Sequence, residues 1–230
     1  MSLINLSIII PAYNSASRLP HLISALKKLS IKNIGIEIIV VDDASKDNTY
    51  DVLKKITNIK LLHHIKNTGK GGAVKSGLHV ATGDILLIQD DDMEYDPGDI
   101  PSLISPIITN EADVVFGSRR LNKNNKYVSP SYNIGASIVN NIIKIIIGKN
   151  LTDPITGYKA FTREVYKKIQ PIESKGFEIE AELTTKMSRK GFKIVEVPIS
   201  YSPRSVKEGK NIRWHQAFPI IGSALKYRLG

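Results

Sequence analysis

Through the first 120 residues, short apolar runs alternate with stretches whose apolar residues recur at helical spacing, and this alternation narrows the fold more than any other feature. Leu6-Ser-Ile-Ile-Ile10 reads as a buried strand. A helix over 18–29 follows, with Leu19, Leu22, Ile23, Leu26 and Leu29 on one side. Residues 36–41 form a second strand, 47–56 a helix capped by Asp47 or Asn48, and 59–63 a third strand. Then come a helix over 71–81, a strand over 84–89, a helix over 99–109 and a strand over 113–117. Strands joined through helices pair in parallel, so the expected fold is α/β, a mostly parallel central sheet with helices on both faces. In such sheets ligands bind beyond the carboxyl ends of the strands. The polar clusters at 11–15, 42–47, 67–72 and 90–96 fall at those ends, which implies one site.

The fourth strand runs directly into Asp90, Asp91 and Asp92. Side chains alternate along an extended chain, so Asp90 and Asp92 are expected on one side and Asp91 on the other. Two carboxylates on one face make a hard-oxygen site for Mg²⁺ or Mn²⁺, which Glu94 would complete. Such a cation neutralises a departing diphosphate; the plain alternative is a solvated acidic turn. Asp42 and Asp43 end the second strand, placed either to accept hydrogen bonds from a base or ribose or to cap the next helix. Asn67-Thr-Gly-Lys-Gly-Gly72, which contains Lys70, is a glycine-rich turn into a helix, where phosphates dock on backbone N–H groups. It lacks the P-loop spacing, and no dinucleotide-binding glycine pattern follows the first strand.

Composition removes other classes. With 42% hydrophobic and 23% charged residues, the chain is not a disordered one. It has no cysteine, so disulfides and thiolate metal sites are excluded. The net charge of +10 asks for an anionic partner, either a phosphorylated ligand or an acidic membrane surface, unless it serves solubility alone. Nucleic acid is disfavoured, because no run of five basic residues occurs and aromatics are not interleaved with the basic positions. No stretch reaches the roughly 18–20 apolar residues that span a bilayer. The expected location is cytoplasmic, soluble or peripheral at the cytoplasmic membrane face. The five histidines have no metal-site spacing, and the serines at 15 and 17 lack a nucleophile elbow.

Taken together, the motifs resemble family-2 glycosyltransferases of the dolichyl-phosphate mannose or glucose synthase type. The matching segments are Ser7-Ile-Ile-Ile-Pro-Ala-Tyr-Asn14, Val40-Val-Asp-Asp-Ala-Ser-Lys-Asp-Asn-Thr49, Asn67-Thr-Gly-Lys-Gly-Gly-Ala73, Ala81-Thr-Gly-Asp84, Gln89-Asp-Asp-Asp92 and Phe116-Gly-Ser-Arg119. They continue, in order, through Asp153-Pro-Ile-Thr-Gly-Tyr-Lys-Ala-Phe161, Gly176-Phe-Glu-Ile-Glu-Ala-Glu182 and Tyr201-Ser-Pro-Arg-Ser-Val-Lys-Glu-Gly-Lys210. The resemblance implies a glycosyltransferase A-type fold over a single domain, 1–230, with a nucleotide-sugar half to about residue 120 and an acceptor half beyond it. It implies a nucleotide-sugar donor, UDP- or GDP-linked, inversion at the anomeric carbon, and a polyprenyl-phosphate acceptor. Asp90 and Asp92 match the metal motif. Pro11, Tyr13, Asn14 and Asp43 match positions lining the nucleoside, with Asp42, Lys70 and Asp91 beside them. Arg119, Arg204 and Lys210 match the phosphate and acceptor side, where guanidinium suits bidentate phosphate binding. A lipid phosphate needs no general base; a glycan or protein hydroxyl does, and Asp153, Glu180 and Glu182 are the candidates. The two glutamates also read as a solvated helix face. The remaining alternative is a non-catalytic basic protein that binds membranes.

In the segment 133–147, Asn133, Ser137, Asn140 and Lys144 make one polar stripe, and isoleucines and Val139 cover the rest. Lying in a membrane surface and packing in the core or against a second copy of the chain are both compatible with so wide an apolar face. Where the resembled synthases often carry an arginine near the start of this helix, this chain has Tyr132 and Asn133, with Arg120 and Lys126 as possible substitutes.

Overall fold

The computed structural model describes residues 3–125, 130–204 and 217–230, and leaves the side chains of 130–132 outside that description. The elements run β1 (Ile4–Ala12), α1 (Leu19–Lys27), β2 (Ile34–Asp42), α2 (Thr49–Leu53), β3 (Lys60–His63), α3 (Lys70–Val80), β4 (Ile85–Ile88), α4 (Ile100–Ile108) and β5 (Val114–Ser118). They continue as α5 (Pro130–Ile147), β6 (Lys159–Thr162), α6 (Arg163–Lys168), α7 (Ile179–Arg189), β7 (Ile194–Pro198) and α8 (Ala217–Leu229). Every strand and helix expected in the first half is present, displaced by one to three residues at most ends. The exception is α2, which is only five residues long. Asp47 rather than Asn48 serves its first turn, accepting from the Thr49 backbone N–H at 3.0 Å and from its hydroxyl at 2.5 Å.

All seven strands form one sheet in the order β3-β2-β1-β4-β6-β5-β7. Only β6 is antiparallel to its neighbours. It enters from the second half of the chain between β4 and β5, so the sheet joins both halves. The two-residue period of the strands divides the core. Leu6, Ile8, Ile10, Val40 and Leu87 face α1 and α4, whereas Ile9, Ile39, Val41, Leu86 and Ile88 face α3, α5, α7 and α8. Helices on both faces leave the carboxyl ends of the parallel strands as the open edge.

The opposite edge is held by one arginine. Arg163, at the start of α6, donates from Nε to the Gly83 carbonyl at 2.8 Å and from Nη2 to the Ala81 carbonyl at 2.9 Å, in the turn between α3 and β4. The backbone N–H of Arg163 also reaches the Asp84 carbonyl at 2.9 Å. Hydrogen bonds from a charged donor contribute about 1.5–3 kcal/mol. Replacing Arg163 by Met is therefore expected to lower unfolding stability by about 2 kcal/mol in urea titrations. Because the clamp lies at the edge away from the strand carboxyl ends, ligand affinity at those ends should be unchanged.

Candidate active site

The loops after β1, β2 and β4 turn sharply as they leave the sheet. Asn14, Ala44 and Met93 there have φ of 52°, 56° and 62°, in the left-handed region that side chains other than glycine seldom adopt. Non-glycine residues held so at three strand ends are a mark of functional loops. Asn14 is fixed by accepting from the Lys46 N–H at 2.8 Å and by donating its own N–H to Ser45 Oγ at 2.9 Å. Tyr13 beside it is exposed, with its ring at the rim, whereas Pro11 is buried inside β1 and offers no open face.

Asp42 and Asp43 are both buried, and each is committed within the protein. Asp42 accepts from the Ser45 hydroxyl and from His63 Nδ1 at 2.7 Å. Asp43 accepts from the Thr68 N–H at 2.9 Å, the Gly69 N–H at 2.7 Å and His64 Nδ1 at 2.6 Å. These bonds overcome the upward push of burial and hold the Asp43 carboxyl below its ordinary value. Neither carboxylate caps α2; Asp43 instead shapes the glycine-rich turn, where Gly69 at φ 85° leads into α3. His63 and His64 are thereby accounted for as partners of aspartates, in keeping with the absence of a histidine metal pattern.

The aspartate cluster departs from simple strand alternation, because β4 ends at Ile88 and the chain turns at Asp91. The three side chains reach three partners. Asp91 points back to the Ser15 hydroxyl and accepts from the Tyr13 N–H at 3.2 Å, tying the β4 loop to the β1 loop. Asp90 Oδ1 lies 2.6 Å from Lys70 Nζ. Asp92 Oδ2 accepts from Arg204 Nη2 at 2.8 Å. Glu94 Oε1 receives the Arg204 backbone N–H at 3.1 Å and its Nε at 3.3 Å, so it anchors Arg204. Among the described residues no three acidic or histidine side chains gather as a metal cluster, and the expectation that Glu94 completes a site with Asp90 and Asp92 has no such cluster behind it. The two remaining aspartates still suit a cation. Burial, followed by repulsion from Asp90 and Glu94, pushes Asp92 up to about 7 in spite of Arg204, which marks negative charge short of compensation.

Arg119, just beyond β5, forms a bidentate pair with Asp153, Nε to Oδ2 at 2.6 Å and Nη2 to Oδ1 at 2.7 Å. Its guanidinium also lies 5.5 Å from the centre of the Tyr201 ring. Asn140 of α5 donates to the same carboxylate at 3.3 Å. Glu196 of β7 secures the loop by accepting the Thr152 and Asp153 N–H groups at 2.6 and 2.8 Å. The fully buried Asp153 would be raised by desolvation, yet Arg119 and these donors hold it below the usual carboxylate range. A carboxylate so occupied is held in its charged form and fixes the direction of the arginine. The solvated-face reading of the other two candidates is corrected. Glu180 and Glu182 are buried rather than solvated: Glu182 accepts from the Glu173 and Ser174 N–H groups at 2.9 and 2.7 Å, and Glu180 joins Lys70 and Lys159.

The polar stripe of α5 faces inward. Asn140 reaches Asp153, and Ser137 accepts from Arg120 Nη2 at 2.9 Å, while Ile134, Ile138 and Ile145 are exposed. Lys126 and Lys210 lie outside the described residues. Sequence reasoning missed Lys159 and Asn140 as site residues. A signal existed for Lys159: in β6 it shares a face with Phe161, so burial of one predicts burial of the other.

Comparison with known proteins agrees with this geometry. The profile described as Glycosyl transferase family 2 matches residues 7–170. The dolichol-phosphate mannosyltransferase of Pyrococcus furiosus is 32% identical over 211 residues, covering 89% of this chain and 58% of that one. The undecaprenyl-phosphate mannosyltransferase of Micrococcus luteus is 32% identical over 212 residues, covering 88% of this chain and 85% of its own. Among solved structures, glucosyl-3-phosphoglycerate synthase from Mycobacterium tuberculosis in complex with UDP superposes with a TM-score of 0.74 at 20% identity, covering 98% of this chain and 80% of that one. At that identity the likeness speaks for the fold, a glycosyltransferase A-type sheet.

The raised Asp92 has a measurable consequence for metal-free protein. Its folded value near 7 lies above the ordinary 3.8, so the folded state binds the extra proton between these values. Its contribution to stability therefore falls as pH rises from about 4 to about 7 and stays lost above that. Asp92→Asn mimics the protonated form. In thermal melts without metal it is expected to be more stable than wild type at pH 8, by about 1–3 kcal/mol. The gap should narrow as pH drops below 7 and close near pH 4; a gap independent of pH would contradict the charge repulsion.

Proposed function

Because the chain belongs to glycosyl transferase family 2, we propose that it is a metal-dependent, inverting hexosyltransferase that takes a nucleotide sugar as donor and a polyprenyl phosphate as acceptor. The observation that carries the acceptor class is the bidentate engagement of Asp153 by Arg119. A hydroxyl acceptor requires a base, and the two acidic side chains beside Arg119 are already engaged, Asp153 by the guanidinium and Glu196 by two backbone N–H groups. A phosphate acceptor arrives as an anion and needs only positive charge to orient it. Arg119 and Arg120 supply that charge at the mouth of β5, next to the inward polar side of α5.

In this reading the β1 and β2 loops receive the nucleoside, with the exposed Tyr13 ring at the rim and Asn14 holding the two loops together. Asp42 and Asp43 act by shaping those loops. Lys70 and Arg204 approach the diphosphate from either side of the aspartates. Asp90 and Asp92 would hold a divalent cation, Mg²⁺ or Mn²⁺, which would supply charge neutralisation of the departing diphosphate. An acceptor phosphate oxygen forms the new bond to the anomeric carbon while the bond from that carbon to the diphosphate oxygen breaks. The nucleoside diphosphate leaves with the electron pair, and no proton is transferred. The metal complexes of the structural relative, which contain Mn²⁺ with UDP, support the cation reading.

The outward face of the second half supports contact with a lipid surface. Ile134, Ile138 and Ile145 on α5 and Phe218, Leu225 and Leu229 on α8 are exposed, and no described helix is long and apolar enough to cross a membrane. Peripheral attachment at the cytoplasmic membrane face would bring the acceptor phosphate to Arg119 and Arg120. Self-association through the same face is the competing use of these side chains.

Calorimetric titration with UDP and with GDP, each with and without Mn²⁺, tests the donor assignment. One nucleotide is expected to bind only with metal, and Asp92→Asn should weaken that binding at least tenfold while the protein stays folded. Wild-type affinity in the variant would remove Asp92 from the metal site. Binding of neither nucleotide to folded wild-type protein would favour the membrane-binding alternative.

A further inference from the structure

Four charged side chains run in line from the core to the aspartate cluster. Lys159 Nζ lies 2.6 Å from Glu180 Oε2, Glu180 Oε1 lies 2.9 Å from Lys70 Nζ, and Lys70 Nζ lies 2.6 Å from Asp90 Oδ1. Their side-chain exposures are 0%, 6%, 11% and 20% along that path, so only the outer end meets solvent. The sign alternates at each step. Lys159 belongs to β6, Glu180 to the first turn of α7, and Lys70 to the first residue of α3. At the inner end Lys159 also donates to the Thr156 carbonyl and sits 4.9 Å from the centre of the Phe116 ring.

At the outer end Asp90 has little freedom. A Cβ added to Gly157 would lie 2.4 Å from Asp90 Oδ2 and 3.1 Å from Lys70 Nζ, so the glycine backbone abuts the Lys70–Asp90 pair itself and leaves neither group room to swing toward it. A lysine held by one carboxylate alone keeps four rotatable bonds and no preferred direction. Glu180 gives Lys70 a second, opposed partner, and Lys159 compensates the carboxylate that Glu180 would otherwise share with a single cation. Buried ion pairs seldom add net stability over apolar residues of the same volume, so stability alone gives little reason for this array.

We propose that Glu180 and Lys159 are positioning residues: they hold the Lys70 ammonium at Asp90, where the donor diphosphate is received. Neither touches the donor. The inference rests on the donor reading given above and extends it to two buried residues that the reaction itself does not use. Removing support behind a charged ligand group commonly reduces affinity or activity about 10–100-fold.

The test separates positioning from plain structural support. Glu180→Gln leaves Lys159 buried without a counter-charge, and Lys159→Met leaves Glu180 undercompensated, so both single variants should melt at lower temperature. The double variant carries neither buried charge and should recover most of the lost stability. Its affinity for UDP or GDP with Mn²⁺, whichever wild type binds, should nevertheless stay about tenfold weaker, while uridine or guanosine binds as to wild type. Glu180→Asp, which keeps the charge and withdraws it by one methylene, should fold normally and show the same selective loss. Recovery of diphosphate affinity together with stability in the double variant, or wild-type affinity in Glu180→Asp, overturns the positioning role. Equal loss of nucleoside and diphosphate overturns it too, because the site has then deformed as a whole. Wild-type protein that binds neither diphosphate overturns the donor reading first, and the positioning role with it.

Discussion

Carboxylates gathered at one edge of a sheet repel one another in a medium where charge is poorly screened, and the cations that answer them organise the rest of this protein. Lys70 meets Asp90, Arg204 meets Asp92, Arg119 meets Asp153, and Lys159 meets Glu180. Each pairing joins distant parts of the chain: the loop after β4 to α3 and to the segment after β7, the end of β5 to the loop before β6, and β6 to α7. The sheet supplies the platform, but these pairs decide where its loops come to rest. Asp92 is the member least well matched, because burial and the like charges of Asp90 and Glu94 act against the one cation it meets.

The same demand accounts for the orientation of α5. An amphipathic helix ordinarily turns its polar stripe to water and its apolar stripe to the core. Here Asn140 and Ser137 point inward to Asp153 and Arg120, while Ile143 and Ile147 pack beside them and Ile134, Ile138 and Ile145 are left outside. The inward polar side thus serves the Arg119–Asp153 pair and Arg120, to which it adds hydrogen bonds from Asn140 and to Ser137, while three isoleucines stay exposed. The exposed stripe is the counterpart of the polar contacts made on the opposite side of α5.

The first half of the chain was legible because its signals are local. Strand runs such as Ile36 to Val41 and the helical period of Leu19, Leu22, Ile23 and Leu26 report their own burial, and the polar clusters at strand ends follow from the α/β rule. The second half was less so. The antiparallel β6 is only four residues long and takes its place between β4 and β5 through pairing with strands far away in sequence. Glutamates in a helix usually make a solvated face; the hint against it here lies in the neighbouring Ala181, Leu183, Thr184 and Thr185, small or apolar residues that are buried together with the two glutamates.

By itself the sequence determined the alternating order of strands and helices, the edge at which the site lies, and the family to which the motifs belong. Those properties depend on periodicity and on short motifs, which neighbouring residues carry among themselves. Only the tertiary structure decided what each charged group does. It turned Asp43 to the glycine-rich turn, Asp91 to Ser15 and Asp153 to Arg119, and it buried Lys159 behind Glu180. Arg204 reaches Asp92 across 112 positions of sequence, and no local pattern specifies a partner at that distance. Desolvation within the folded chain makes such pairing necessary, and the arrangement of the elements selects which pairs can form.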